Sequence, residues 1–296
     1  MDRNEMYNSC RLCGLACGVN RHIAIGGCKE GADIRIARAA LHMWEEPIIS
    51  GEGGSGTIFF SGCSLGCVFC QNRRISHEGV GRVISVDELS QIMLSLEDEG
   101  AHNINLVTPT HVSPKIAMAI DKARSHGLKI PIVYNTSSYD SIDTMRMLDG
   151  LVDIYLADYK FNSERLASKY TRVKNYTKTA RIAIAEMVRQ RGRFLIGEDG
   201  LMKSGVIIRL LLLPTHLIDA KMSLKYLYNE YSDNVYFSLM SQYTPIGDIT
   251  PPLNRCVSES EYNSLIDYAD SLGIKYAFTQ QASSVGESFI PEFFGE

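Results

Sequence analysis

The chain has 296 residues, a net charge of −4 and 45% hydrophobic content. That length supports two average domains or one large α/β barrel, and its acidic balance argues against a general nucleic-acid-binding surface. No nucleic-acid partner is expected. Arg189, Arg191 and Arg193 read more simply as a solvated helix end, where cations meet the helix dipole favourably. The opening Met1–Asn8 is polar and charged, unlike a secretory signal. The most apolar run, residues 206–214, contains Arg209 and is too short to span a bilayer. A cytoplasmic protein without a membrane partner is expected. In a reducing compartment its eight cysteines point to metal ligation rather than disulfides.

The first cysteine group is Cys10, Cys13, Cys17 and Cys28, spaced Cys-x2-Cys-x3-Cys-x10-Cys with Gly14, Gly18, Gly26 and Gly27 between them. Four thiolates suit tetrahedral zinc or iron, or an iron–sulfur cluster; the sequence leaves the metal open. The second group follows a short β-branched and aromatic strand, Thr57–Phe60, closed by Ser61-Gly62. Cys63, Cys67 and Cys70 lie within eight residues. Clusters usually take four thiolates, so three from one loop suggest a cubane with one iron open to an outside ligand. A zinc site completed from elsewhere is the alternative.

Beyond the loop, apolar runs alternate with amphipathic patterns. Ser85-Val86-Asp87-Glu88 reads as a capping box, opening a helix with Leu89, Met93 and Leu96 on one stripe and Gly100 as its stop. A strand over 103–108, a helix over 114–126, a strand over 131–135 and a helix over 141–148 follow. The next strand covers 152–158. A helical region over 163–190 breaks near Asn175, and 194–202 reads as a hairpin excursion. Strand 206–213, helix 219–231, strand 235–240, helix 258–272 and an extended run over 275–279 complete the pattern. About six strand–helix units imply parallel strands with right-handed crossovers. Periodicity alone leaves a doubly wound sheet open as the alternative to a barrel.

The cysteine loop, its preceding strand and Phe69 resemble the radical S-adenosylmethionine (SAM) enzymes. Over nearly the whole chain the sequence is similar to homologues of pyruvate formate-lyase activating enzyme, in a branch with extra N-terminal cysteines. The fold this implies is an α/β partial (βα)6 TIM-like barrel of parallel strands. Residues 1–50 would form a cysteine-rich metal-binding extension, and residues 51–296 the barrel with a C-terminal tail carrying Phe289, Phe293 and Phe294. The resemblance also implies a [4Fe–4S] cluster on Cys63, Cys67 and Cys70, with SAM on its open iron. One electron then cleaves the sulfonium to a 5′-deoxyadenosyl radical that takes hydrogen from a substrate. The cofactors supply that chemistry and the protein supplies position.

Other positions carry over by the same resemblance. Phe69 would pack on the adenine. Asp158-Tyr159-Lys160 matches an Asp-x-Lys step in which the lysine contacts the cofactor carboxylate and the aspartate helps hold a monovalent cation. Asn135-Thr136 matches an Asp-Thr step near the ribose and that cation, although Asn removes a charge. Arg209 matches a strand arginine near the cofactor, and a salt bridge across the barrel is its alternative. The Gly-Gly-Glu common after the second strand is replaced by Thr108-Pro109-Thr110-His111. Thr110 is therefore a candidate cofactor contact, and His111 and Gln242 are candidate substrate contacts.

Three functions fit these residues. The first is activation of a glycyl-radical partner enzyme, with a low-potential reductant such as flavodoxin or ferredoxin. The second is the same radical step on a small metabolite or peptide. The third is a non-catalytic iron–sulfur or zinc protein for electron transfer or sensing.

Overall fold

A computed structural model describes residues 3–279; Phe289, Phe293 and Phe294 lie outside the described residues. In chain order the elements are β1 (Ile34–His42), α1 (Pro47–Ser50), β2 (Ser55–Phe60), α2 (Arg73–His77), β3 (Arg82–Ile84) and α3 (Val86–Asp98). Next come β4 (Ile104–Val107), α4 (Ser113–Ser125), β5 (Ile132–Thr136), α5 (Ile142–Met147), β6 (Ile154–Asp158), α6 (Glu164–Tyr170) and α7 (Tyr176–Arg191). The chain then forms β7 (Leu195–Ile196), β8 (Met202–Leu211), α8 (Leu217–Tyr231), β9 (Tyr236–Met240), α9 (Glu259–Leu272) and β10 (Ala277–Thr279).

One sheet carries the order β10-β9-β8-β6-β5-β4-β2-β1-β3, with β7 paired to β8. From β2 to β10 each neighbouring pair is parallel. Successive parallel strands always add on the same side, so the order never reverses as it does at the switch point of a doubly wound sheet. The result is the partial barrel. Strands β4 and β5 are buried at every position, as expected where helices and barrel interior cover both faces.

Sequence periodicity missed β1, whose Ala37 and Ala39-Ala40 weaken the strand signature. It pairs antiparallel with β2, from Ile36 opposite Phe60 to His42 opposite Ser55, and β3 pairs with it in turn. Residues 34–42 of the expected 1–50 extension are thus hydrogen-bonded into the main sheet. Ser85 accepts from the Glu88 amide at 3.0 Å, but the Glu88 carboxylate turns to Arg82 instead of closing the box. The reciprocal capping box occurs at Ser258 and Glu261. Arg189 and Arg191, in the last turn of α7, both pair with Asp149.

The segment before β1 docks on the barrel. Gly14 donates to the Tyr139 carbonyl at 3.0 Å. A Cβ at Gly14 would stand 2.5 Å from the Tyr139 ring, so this approach requires glycine. Ser141 and Thr144 both donate to the Leu12 carbonyl. Nearby, the Arg21 guanidinium donates to the His111 carbonyl, and His111 Nε2 lies 2.6 Å from the Ser61 carbonyl, the geometry of a neutral ring donating one N–H. His111 is therefore a tie between the N-terminal segment, the β4–α4 connection and the end of β2.

Burial, reinforced by the Arg21 cation, drives the His111 pKa down from 6.5 to about 3. Above the ordinary value the ring is neutral in both folded and unfolded chains. As pH falls through that value, the unfolded chain takes a proton that the fold refuses, so stability drops until about pH 3. Wild-type protein should lose about 1 kcal/mol more per pH unit than His111→Gln between about pH 6 and about pH 4, read from urea unfolding free energies. Parallel slopes for the two proteins would contradict this burial.

Candidate active site

The carboxyl ends of the parallel strands surround a cavity of about 270 Å³, near the small end of the range for small-molecule pockets. Its walls include Cys63, Cys67, Cys70 and Phe69 from the loop after β2, Asn135-Thr136 from β5, Asp158 and Lys160 at β6, Arg209 from β8, and Gln242 after β9. These sequence candidates come together at one barrel mouth, where (βα) barrels place their chemistry.

The cysteine loop is held from three directions. Gly62 adopts φ +84, and a Cβ there would stand 3.0 Å from the Cys28 carbonyl. The Cys63 amide donates to that same carbonyl at 3.2 Å. From the α6–α7 connection, Arg172 donates through its side chain to the Ser64 carbonyl at 3.1 Å and to the Cys63 carbonyl. Val68 donates to the Tyr170 carbonyl at 2.9 Å. Cys70 Sγ lies 3.2 Å from Ser76 Oγ of α2. Hydrogen bonds from the barrel and the N-terminal segment therefore position the loop.

Phe69 meets Phe161 and Tyr243 edge-on at centroid distances of 6.1 and 6.3 Å, so one aromatic cluster backs the cavity wall. Cys67 is buried, and burial pushes its thiol pKa up despite nearby Lys160. A cation bound at the sulfur would offset that cost, because metals bind the thiolate.

The same cavity is lined by a charged network. The β6–β8 register sets Asp158 beside Arg209. Asp158 accepts from Arg209 Nε at 2.7 Å and from Lys160 Nζ at 2.7 Å. Arg209 also donates to Asn135 Oδ1 at 2.7 Å and approaches Glu45 at 3.5 Å. Burial alone would raise the Asp158 pKa, but Arg209 and Lys160 outweigh it and hold the carboxyl below its usual range. Burial likewise opposes the Lys160 charge, and Asp158 and Cys67 raise its pKa nonetheless. Arg209 thus makes the salt bridge across the barrel and also lines the cavity. Its guanidinium already engages the Asp158 and Asn135 oxygens considered for a monovalent cation.

Two candidates do not reach the cavity wall. Thr110 is buried with its Oγ1 3.4 Å from Thr136 Oγ1, and His111 is the structural tie described above. Thr108, at φ +59, lines the cavity in their place. His42, Trp44 and Glu45, at and after the end of β1, also line it and had no local motif to mark them. Glu45 is fixed by Asn105 Nδ2 at 2.9 Å. The chain's one tryptophan followed by two acids and Pro47 was the available signal.

Among the described residues, no three His, Cys, Asp or Glu side chains are grouped to hold a single metal ion. Three thiols on one cavity wall suit a polynuclear cluster, in which each cysteine would take a different iron. Lys160 and Arg209, with Asp158 and Asn135, provide the donors and acceptors that a zwitterionic ligand needs. No described helix is long and apolar enough to cross a membrane.

The radical SAM superfamily model matches residues 57–216. An uncharacterized protein of Methanocaldococcus jannaschii is 28% identical over 281 residues, covering 91% of this chain and 77% of that protein. A radical SAM methyltransferase from Sphaerobacter thermophilus shares the fold with a TM-score of 0.54 and 16% identity, over 76% of this chain and 65% of that one. Streptococcus suis SuiB bound to SAM gives 0.50 and 14%, over 74% of this chain and 48% of that one. This chain thus spans between about half and two-thirds of the aligned structures' lengths. With more than half of its residues matched, from the strand before the cysteine loop to the end of β8 and beyond, the chain belongs to the radical SAM superfamily.

Proposed function

We propose that this chain cleaves SAM reductively and removes a hydrogen atom from a glycine of a partner protein, in the manner of the activating enzymes it resembles. The observation that carries the reading is that Cys63, Cys67 and Cys70 line one cavity together with Lys160, Asp158 and Arg209. When bound, a [4Fe–4S] cluster and SAM supply an electron and a primary radical. The protein's part is to hold, orient and exclude water.

In this reading the three cysteines hold the cluster, and Lys160 meets the cofactor carboxylate as a point charge. Asp158 fixes that lysine's position, and Arg209 keeps Asp158 charged. Phe69 offers a rigid apolar edge to the adenine, while Asn135 and Thr136 lie on the ribose side. Arg209 fills the cationic place otherwise assigned to a monovalent ion. Gln242 faces the substrate side, held by its carbonyl's bond from Gln71 Nε2 at 3.0 Å. A low-potential flavodoxin or ferredoxin would supply the electron, in a cytoplasmic setting. Residues 1–50 would be the metal-binding part and residues 51–296 the catalytic part, with β1 shared between them.

A second reading, the same radical step on a small metabolite or peptide, is favoured by one observation. Trp44 and Glu45 project from the β1–α1 connection into the cavity wall, adding apolar and anionic surface beyond the cofactor contacts.

Anaerobically reconstituted and reduced protein should convert SAM to 5′-deoxyadenosine, and the Cys63/Cys67/Cys70→Ala triple variant should not. A fully cluster-loaded protein that makes none, with candidate partner present, would overturn the proposal. Lys160→Ala should weaken SAM binding by about 1.5–3 kcal/mol, about tenfold to a hundredfold in Kd by equilibrium dialysis, because it removes a charged hydrogen bond. Unchanged Kd would remove Lys160 from the site.

A further inference from the structure

Besides Cys256, four cysteines lie outside the cavity. Cys10, Cys13 and Cys28 are buried, while Cys17 is exposed. Left-handed residues coil the segment tightly: Ala16 at φ +43 and Gly18 at φ +66. Cys10 and Gly18 close the coil, with Cys10 donating to the Val19 carbonyl and Gly18 donating to the Cys10 carbonyl, both at 2.9 Å. Cys17 Sγ lies 3.9 Å from the Cys10 carbonyl, and Cys28 Sγ lies 3.9 Å from the Glu30 carbonyl. Cys10, Cys13 and Cys17 are held close along this coil, and Cys28 reaches the same Glu30 carbonyl that Arg21 engages.

Arg21 supplies an independent mark of charge there. It is 2% exposed, and its guanidinium donates to the neutral carbonyls of Glu30, Gly31 and His111. Its Nη1 stands 3.9 Å from Cys10 Sγ. The neighbouring Glu30 carboxylate is engaged by Arg35 at 3.4 Å. Burying a guanidinium without a paired anion is costly, and the groups placed to become anionic beside it are the Cys10 and Cys28 thiols. A thiolate-ligated cluster carries that negative charge.

The same segment touches the cavity loop. The Cys28 carbonyl accepts from the Cys63 amide at 3.2 Å. The covalent and hydrogen-bonded route from Cys28 Sγ to Cys63 Sγ thus crosses only two residues. Buried thiols at the inner end and exposed Cys17 at the outer end give this route a direction, from solvent toward the cavity.

We propose that Cys10, Cys13, Cys17 and Cys28 hold a second iron–sulfur cluster that relays electrons into the cavity through the Cys28–Cys63 contact. Four thiolates suffice for an iron–sulfur cluster, and the test below separates it from zinc. In each relay step a low-potential one-electron donor is oxidised by one electron and the N-terminal cluster is reduced. That cluster then returns to its oxidised state as the cavity cluster gains the electron. Arg21 is a positioning residue: its fixed positive charge stabilises the reduced, more negative form. The relay rests on the proposed radical function, but the existence of the second cluster does not.

The test uses the full chain, reconstituted without oxygen with iron and sulfide. The Cys63/Cys67/Cys70→Ala variant should retain about half of the wild-type iron and sulfide and show an electron paramagnetic resonance signal after dithionite reduction. Zinc in place of iron, or no retained cluster, overturns the site whatever the SAM chemistry proves to be. In that background Arg21→Gln should lower the reduction potential and weaken cluster retention by about tenfold or more. An unchanged potential removes Arg21 from its role. Should the wider replacement Cys10/Cys13/Cys17/Cys28→Ser fail to fold, Cys17→Ser, at the exposed end, is the substitute. Either variant should keep the cavity cluster but accept electrons from reduced flavodoxin more slowly than wild type. An unchanged rate overturns the relay and leaves the cluster.

Discussion

The Arg209 guanidinium is the interaction on which the cavity depends. It joins Asp158 and Asn135 directly and reaches Glu45, so one side chain fastens β5, β6, β8 and the β1–α1 connection at the same end of the sheet. A buried charge of this kind is tolerated because each of its neighbours is polar and oriented. Asp158 then orients Lys160, and the positive wall of the cavity follows. The sequential strand order makes this possible, because it brings the carboxyl ends of six parallel strands around one mouth.

The N-terminal segment belongs to the same construction. Its Cys28 carbonyl accepts from the Cys63 amide and its Arg21 donates to the His111 carbonyl, so the position of that loop is set partly by residues before β1. Arg172 fixes the loop from the other side. A reactive cavity benefits from such overdetermination, since exclusion of water depends on the loop keeping one conformation.

Much of this was legible in the chain. Strand–helix alternation is written in local periodicity, so a parallel sheet could be read; the barrel came from the family resemblance carried by the compact Cys63–Cys70 loop. Asp158, Lys160 and Arg209 could be placed at strand ends for the same reason. What stayed hidden depends on contacts distant in sequence. The alanine-rich β1 becomes a strand by pairing with β2, and Glu45 enters the site by meeting Asn105 and Arg209. Within the 108–111 turn, the positive φ of Thr108 rotates it toward the cavity while Thr110 and His111 turn away. A turn's direction is a backbone property that residue types alone did not fix.

The central claim is that the three-thiol loop and the charged network bind one cofactor pair in contact. It is tested most directly by electron–nuclear double resonance on the reduced protein with SAM isotopically labelled at its amine and carboxylate. The expected result is hyperfine coupling of both labels to the cluster spin, weakened when Lys160 is replaced by Ala. A fully reduced cavity cluster that shows no coupling to either label at saturating SAM would contradict it.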